Sequence, residues 1–214
     1  MCPLAHEASA IRRGVRDIGN VRIVVSGPGA AAVRRTLEAE TASPAEGTGV
    51  LLAGVAGALC DVPAGFFVRD VVDAEGARFT PSLPIATAVP GAGVTLLGLD
   101  SPLSTPAEKR GWHERTGAAL VDMESHAFAR VCAERGIPWG VVRGVSDGAD
   151  ETLDPAVLNW VTPGGGTRAL RPVVDILRKP RLLPVAIRLA RRSGAALPVV
   201  ARQVAIIARA WTNQ

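Results

Sequence analysis

Three cysteines, three histidines and two lysines are all that this 214-residue chain holds of those residue types. Cys2, Cys60 and Cys132 are odd in number, widely spaced and form no CxxC pair, which argues against a disulfide framework or zinc ribbon and for a reducing, cytoplasmic compartment. His6, His113 and His126 show neither HxxxH nor ExxH spacing, so no metal site is expected and they read as surface or packed imidazoles. GxGxxG, the GxxxxGKS/T phosphate loop and GxSxG are all missing, which argues against a dinucleotide or ATP enzyme. Residues 1–15 carry His6, Glu7, Arg12 and Arg13 where a secretory signal would need an apolar run. The longest uncharged stretch near the C-terminus, residues 193–201, is about half of the ~20 residues that a hydrocarbon core demands. What is present is 48% apolar and 21% charged residues, the composition of one globular domain. At this length folding buries roughly 70% of the surface of the unfolded chain, enough for one sizeable core without disulfide or metal.

The net charge of +4 conceals a division. Residues 168–214 hold ten Lys and Arg against Asp175 alone, a net +9, while the first 167 hold 14 basic and 19 acidic residues, a net −5. A mildly acidic body and a strongly basic tail suggest two surfaces with different partners, and we divide the chain into a core over 1–167 and a basic helical extension of the same domain over 168–214.

The body alternates strands and helices. Short apolar runs predict strands at 21–26 (VRIVVS), 50–54, 66–72, 94–99, 118–122 and 139–145, and helix-forming stretches predict helices at 28–40, 106–115 and 123–135. Thr105 with Glu108 is a capping pair for the second helix, and Gly136 with Pro138 ends the third. Strands apolar on both faces that alternate with helices imply an α/β fold, a mostly parallel twisted central sheet flanked by helices. In such sheets ligands bind beyond the carboxyl ends of the strands, where this sequence places SGPG, GVAG, VDME and VSDGAD.

Carboxylates at those places are costly unless they cap, pair or grip a ligand. Asp122 reads as a helix cap, whereas Glu124 on the first helical turn suits recognition of two neighbouring hydroxyls. Asp147, after a nearly all-apolar strand and beside Ser146 and Asp150, is either a turn residue or a partly desolvated acid able to hold a proton. SGPG (Ser26, Gly27, Pro28, Gly29) and GVAG (from Gly54 to Gly57) read as tight turns that expose backbone.

Together, VDMESHAFARVCAERGIPWGVVRGVSDGAD at 121–150, SGPG, LLAGVAGAL and the early LAHEASAI resemble the nucleoside phosphorylase and nucleosidase superfamily, in matching order over about residues 3–200. The wording VDMESH, the preceding EKRGWHERTGA and the Arg-rich tail RKPRLLPVAIRLAR are most similar to its hopanoid-associated branch, whose members are thought to remove adenine from adenosylhopane. The resemblance implies that Glu124 accepts hydrogen bonds from the ribose hydroxyls, that Met123 packs on the sugar face, and that Asp147, oriented by Ser146, protonates purine N7. It further implies that Glu7 activates the attacking water, and that Ser26, Gly27, Gly54, Leu103 and Val121 complete the substrate site. No metal or organic cofactor is called for, because ribose is the electrophile and a protonated adenine leaves without help.

Water is favoured over phosphate as nucleophile, since the charge of Glu7 would repel phosphate. Phosphorolytic relatives carry an anion-gripping arginine before the glycine turn, where this chain has Leu52 and Ala53, while Arg12 and Arg13 keep phosphorolysis in play. The family also opens with a full strand before the Glu7 position, where six residues stand here, and a base-stacking aromatic corresponds to Pro102. Trp160 is then either a substitute stacking ring or a core anchor.

In the tail, Arg188, Arg191 and Arg192 at i, i+3 and i+4 make one face of a helix at 182–192 cationic, with a second apolar segment at 199–211 after Gly194 and Pro198. Such helices can lie on an anionic bilayer at the inner face of the membrane, or pack a basic outer face against the body or a second subunit. No nucleic-acid partner is expected, because no aromatic interleaving accompanies the charge. The expected function is hydrolytic release of adenine from a 5′-substituted adenosine with a lipidic substituent, by a homo-oligomer peripheral to the membrane. Alternatives are a methylthioadenosine or S-adenosylhomocysteine type nucleosidase, a phosphorolytic enzyme, and an inactive membrane scaffold.

Overall fold

A computed structural model describes residues 1–43, 45, 47–62, 66–83, 92–166, 168 and 171–212. Residue 167, at the expected boundary between core and extension, lies outside the described residues, as do 213 and 214. Six strands, β1 (Val50–Ala58), β2 (Phe66–Val72), β3 (Arg78–Phe79), β4 (Ala92–Gly98), β5 (Leu120–Asp122) and β6 (Trp139–Asp147), form one sheet in the order β3-β2-β4-β5-β1-β6. Pairs β2–β4, β4–β5 and β1–β6 are parallel, and β2–β3 and β1–β5 antiparallel, so the sheet is mostly parallel as the sequence implies. The helices are α1 (Ala5–Val15), α2 (Ala30–Glu40), α3 (Pro106–Thr116), α4 (Ser125–Glu134), α5 (Arg171–Arg178) and α6 (Leu182–Thr212), with a 3-10 turn at Pro155–Trp160.

Alternation along the central strands sends successive side chains to opposite layers. Leu52 and Val141 face a core with Val33 and Leu37 of α2 and Phe128 and Cys132 of α4. Ala53 and Val142 face a second core with Ile11 and Val15 of α1 and Val200, Val204 and Ile207 of α6. Helices thus cover both faces, and the strand ends between them are left to build a site.

Several expectations change. Residues 21–26 form a single bridge, Cys2 to Val25, rather than a strand. Their neighbour is the short stretch 1–3, which also ties to β1 through the Met1 amino group on the Leu51 carbonyl at 2.7 Å and Ala53 N–H on the Met1 carbonyl at 2.9 Å. With α1 starting at Ala5, that partner is too short for a ladder. β1 runs on through GVAG to Ala58, so these glycines lie in a strand, not a tight turn. They are clearings for side chains: a Cβ on Gly54 would lie 2.5 Å from both Arg143 Nη1 and Glu7 Oε1, and one on Gly57 would lie 3.0 Å from Asp147 Oδ2.

The tail also differs, because α6 is one helix of 31 residues that passes through Pro198 instead of two segments. Proline in a helix interior costs about 3 kcal/mol. Leu197, Val200, Ala201, Val204 and Ile207, all buried at helical spacing on either side of it, offset that cost by packing. The fit is close, since a Cβ on Gly144 of β6 would stand 2.7 Å from Ala196 Cβ and one on Gly14 of α1 2.9 Å from Ala201 Cβ.

Candidate active site

A cleft of about 220 Å³ opens at the carboxyl ends of β5 and β6, beside residues 55–57 of β1, the antiparallel neighbour of β5. Glu7, Met123, Glu124, Ser146, Asp147, Leu103 and Val121 all line it, together with Pro28, Pro102, Asp122 and Lys109. Hollows of about 460 and 660 Å³ elsewhere gather no comparable set of buried carboxylates.

Glu7 enters from the first turn of α1, 1% exposed. Its Oε2 accepts Leu4 N–H at 2.9 Å, which caps the helix, and its Oε1 accepts Val55 N–H at 2.9 Å. Burial pushes its carboxyl above the usual range, against the pull of Arg143 and the two backbone donors. Glu124 sits at the N-cap of α4, where Oε1 accepts Gly29 N–H at 2.8 Å and Oε2 accepts Arg143 Nη2 at 3.1 Å. Burial raises its carboxyl to about 7, opposed by Arg143 and helped by Asp122.

Asp147 ends β6, 3% exposed. Ser146 Oγ donates to its Oδ1 at 2.6 Å and Lys109 Nζ to its Oδ2 at 2.5 Å. The register of β1 and β6 shifts between Ala56 and Gly57, so that Gly57 faces Asp147, and this irregularity turns the carboxylate toward the cleft. Leu103 and Val121 supply apolar wall, 9% and 8% exposed, and Met123 is half-buried beside them.

Ser26, Gly27 and Gly54 stand behind the cleft. Ser26 Oγ donates to the Gly27 carbonyl at 2.9 Å, and Gly27, at φ 85°, backs onto the Pro163 carbonyl. SGPG reaches the cleft instead through Pro28 and the Gly29 N–H that Glu124 accepts. Gly54 makes room for Glu7 from below. Trp160 is absent from the cleft wall; its Nε1 donates to Asp175 Oδ2 at 3.1 Å, making it an anchor between the 3-10 turn and α5.

Two cations escaped the sequence reading. Arg143, 2% exposed in the middle of β6, donates through Nε to Asp122 Oδ2 at 2.9 Å and through Nη2 to Asp122 and Glu124 at 2.7 and 3.1 Å. Asp122 is therefore more than a cap, although its Oδ1 also takes Glu124 N–H, Ser125 N–H and Ser125 Oγ. Lys109, 1% exposed on α3, gives its three ammonium protons to Asp147, the Gly148 carbonyl at 2.7 Å and the Glu151 carbonyl at 3.2 Å. The available signal was their rarity of setting: an arginine inside the apolar run WGVVRGV, and one of only two lysines.

Four carboxylates (Glu7, Asp122, Glu124 and Asp147) surround two cations, so the cleft is acidic overall. Arg12 and Arg13 are both exposed, and Leu52 is buried in the core. The tail cations Arg188 and Arg192 turn toward the body and pair with Glu151 at 3.4 and 3.0 Å, clasping the loop that follows Asp147.

The comparisons with known proteins agree with this architecture. A 5′-methylthioadenosine/S-adenosylhomocysteine nucleosidase of Mycobacterium bovis is 36% identical over 80 residues, covering 33% of this chain; the match spans 31% of that relative, about a third of its length. A nucleosidase of the same description from Neisseria meningitidis, solved with methylthio-immucillin-A, superposes with a TM-score of 0.66 at 15% identity over 98% of this chain and 97% of that one. Futalosine hydrolase of Helicobacter pylori superposes with a TM-score of 0.63 at 14% identity over 99% and 95%. These solved structures share the fold. Residues 68–178, more than half of the chain, match the family described as the phosphorylase superfamily, and the protein belongs to that superfamily.

Proposed function

We propose that the protein is a hydrolytic N-glycosidase that releases adenine from a 5′-substituted adenosine. The observation that carries this reading is one cleft holding three buried carboxylates, Glu7, Glu124 and Asp147, each gripped by different donors. Glu124, fixed by Gly29 and Arg143, accepts hydrogen bonds from the ribose hydroxyls. A water held by Glu7 attacks C1′ and gives that carboxylate its proton, the C1′–N9 bond breaks with its electron pair passing to the base, and Asp147 delivers a proton to N7. Burial raises the Glu7 carboxyl and so makes its anion the stronger base. The positive charge that develops on the sugar forms among an excess of carboxylates.

Water is favoured over phosphate by the same charge balance, since a phosphate dianion would meet four carboxylates against two cations, each of which is already ion-paired with a carboxylate. Similarity to methylthioadenosine/S-adenosylhomocysteine nucleosidases supports adenine as the base. For the 5′ substituent we propose a hopanoid, making the substrate adenosylhopane and the product a ribosylhopane. The sequence wording at 121–126 supports it, as do exposed apolar side chains on α5 and α6, Leu177, Leu183, Ile187 and Val199, interspersed with exposed Arg191 and Arg202, a surface suited to an anionic bilayer. Among the described residues no helix is long and apolar enough to cross a membrane. A second copy of the chain is the other cover for that surface. A small thioether substituent is the second reading, favoured by the Mycobacterium bovis relative.

The test is to incubate purified protein with adenosylhopane and with 5′-methylthioadenosine, with and without phosphate, and to weigh the sugar product. Free ribosyl product supports hydrolysis, a sugar 1-phosphate formed only with phosphate overturns it, and no adenine from either compound leaves a non-enzymatic scaffold. Liposome sedimentation that falls when residues 182–214 are mutated at Leu183 and Ile187 supports the bilayer contact; unchanged sedimentation points to a subunit interface.

A further inference from the structure

Lys109 is nearly inaccessible, and its environment fits two protonation states equally well. As an ammonium it has three donors for three acceptors, Asp147 Oδ2 and the carbonyls of Gly148 and Glu151. As a neutral amine it would keep two donors for the two carbonyls and turn a lone pair to a protonated Asp147. No atom has to move for the proton to cross from Nζ to Oδ2, and neither state leaves a buried polar group unpaired. Asp147 meanwhile takes partners on both oxygens, Ser146 Oγ on Oδ1 and Lys109 Nζ on Oδ2.

We propose that Lys109 supplies, through Asp147, the proton that the leaving base receives. The inference rests on the N-glycosidase reading above. The proton passes from Lys109 Nζ to Asp147, then from Asp147 to N7 as the C1′–N9 bond breaks, leaving a carboxylate beside a neutral amine. Glu7 finishes the cycle with one proton from the attacking water and releases it to solvent; Lys109 regains one from solvent, so protons balance over a turnover. Lys109 is a positioning and proton-supplying residue that acts through Asp147, and α6 supports it indirectly, because Glu151, whose carbonyl it binds, is clasped by Arg188 and Arg192.

Lys109→Gln and Lys109→Met separate supply from mere placement. Glutamine keeps a donor toward Asp147 but has no proton to give up; methionine has neither. Adenine release from 5′-methylthioadenosine is followed for wild type, both variants, Asp147→Asn and Asp147→Asn with Lys109→Gln. We expect both single variants to lose at least 50-fold in kcat with KM within threefold, and Lys109→Gln to add less than twofold to the loss of Asp147→Asn. A Lys109→Gln enzyme within threefold of wild-type kcat overturns the proposal and leaves placement only, as does an equal loss in the two backgrounds. Should Lys109→Met fail to fold, Lys109→Gln carries the comparison. A wild type that releases no adenine from this compound or from adenosylhopane refutes the N-glycosidase reading instead, which keeps the two failures distinct.

Discussion

Gly57 faces Asp147 across the one place where the parallel ladder of β1 and β6 slips register. A β-carbon at Gly57 would stand 3.0 Å from Asp147 Oδ2 and 3.3 Å from Oδ1, closer than carboxylate oxygens tolerate without shifting. Since that carboxylate is tied to Lys109 and Ser146, it has little freedom to yield. Gly57→Ala should therefore reduce kcat by at least tenfold while the thermal midpoint falls by only a few degrees, a comparison that adenine release and calorimetry make directly. Equal activity would show that the carboxylate moves freely.

Arg143 holds Asp122 and Glu124 with no exposure to solvent. Removing one partner of a buried ionic cluster leaves uncompensated charge, at a cost of about 3–5 kcal/mol. Arg143→Met should destabilise the fold by that order in urea unfolding. A double variant Arg143→Met with Asp122→Asn should recover part of the loss, because it removes one orphaned charge.

Glu124 sets a pH dependence. Its carboxyl is raised to about 7, so it is protonated below that value and ionised above it. Ribose hydroxyls are better held by the anion, and the affinity for a non-cleavable adenosine analogue should weaken as pH drops from 8 to 6. For stability the sign is opposite: the unfolded chain releases this proton near 4.5, so from there to about 7 the group weakens the fold as pH rises. Titration calorimetry at several pH values checks the first statement; Glu124→Gln, which should bind the analogue weakly at all pH values, checks that this residue is the cause.

Pro198 lies within the continuous helix α6 and is exposed. Pro198→Ala restores a backbone donor opposite the Gly194 carbonyl and should stabilise the protein by up to about 3 kcal/mol, read as a raised melting temperature. A lowered one would mean that the ring packs against something that the helix needs.

How far these features were legible in the sequence depended on whether the cause was local. β2 and the capping pair of Thr105 and Glu108 follow from adjacent residues, and both stand where the sequence puts them. Glu124 and Asp147 were visible as acids at the mouths of apolar strands. Their partners were not, because Lys109 stands 38 residues from Asp147 and Arg143 19 from Glu124, and only the strand register brings them together. GVAG misled for the same reason: its glycines answer to Glu7, Arg143 and Asp147 on other elements rather than to a turn. Pro198 signals a break in isolation, and the packed face around it overrides that local preference.

The most direct test of the account is the rate of adenine release by Asp147→Asn from whichever 5′-substituted adenosine the wild type cleaves. Asparagine keeps an acceptor for Lys109 and a place in the ladder, but cannot relay a proton. The account predicts a kcat lower by about two orders of magnitude or more with circular dichroism unchanged; a variant that turns over at the wild-type rate contradicts it.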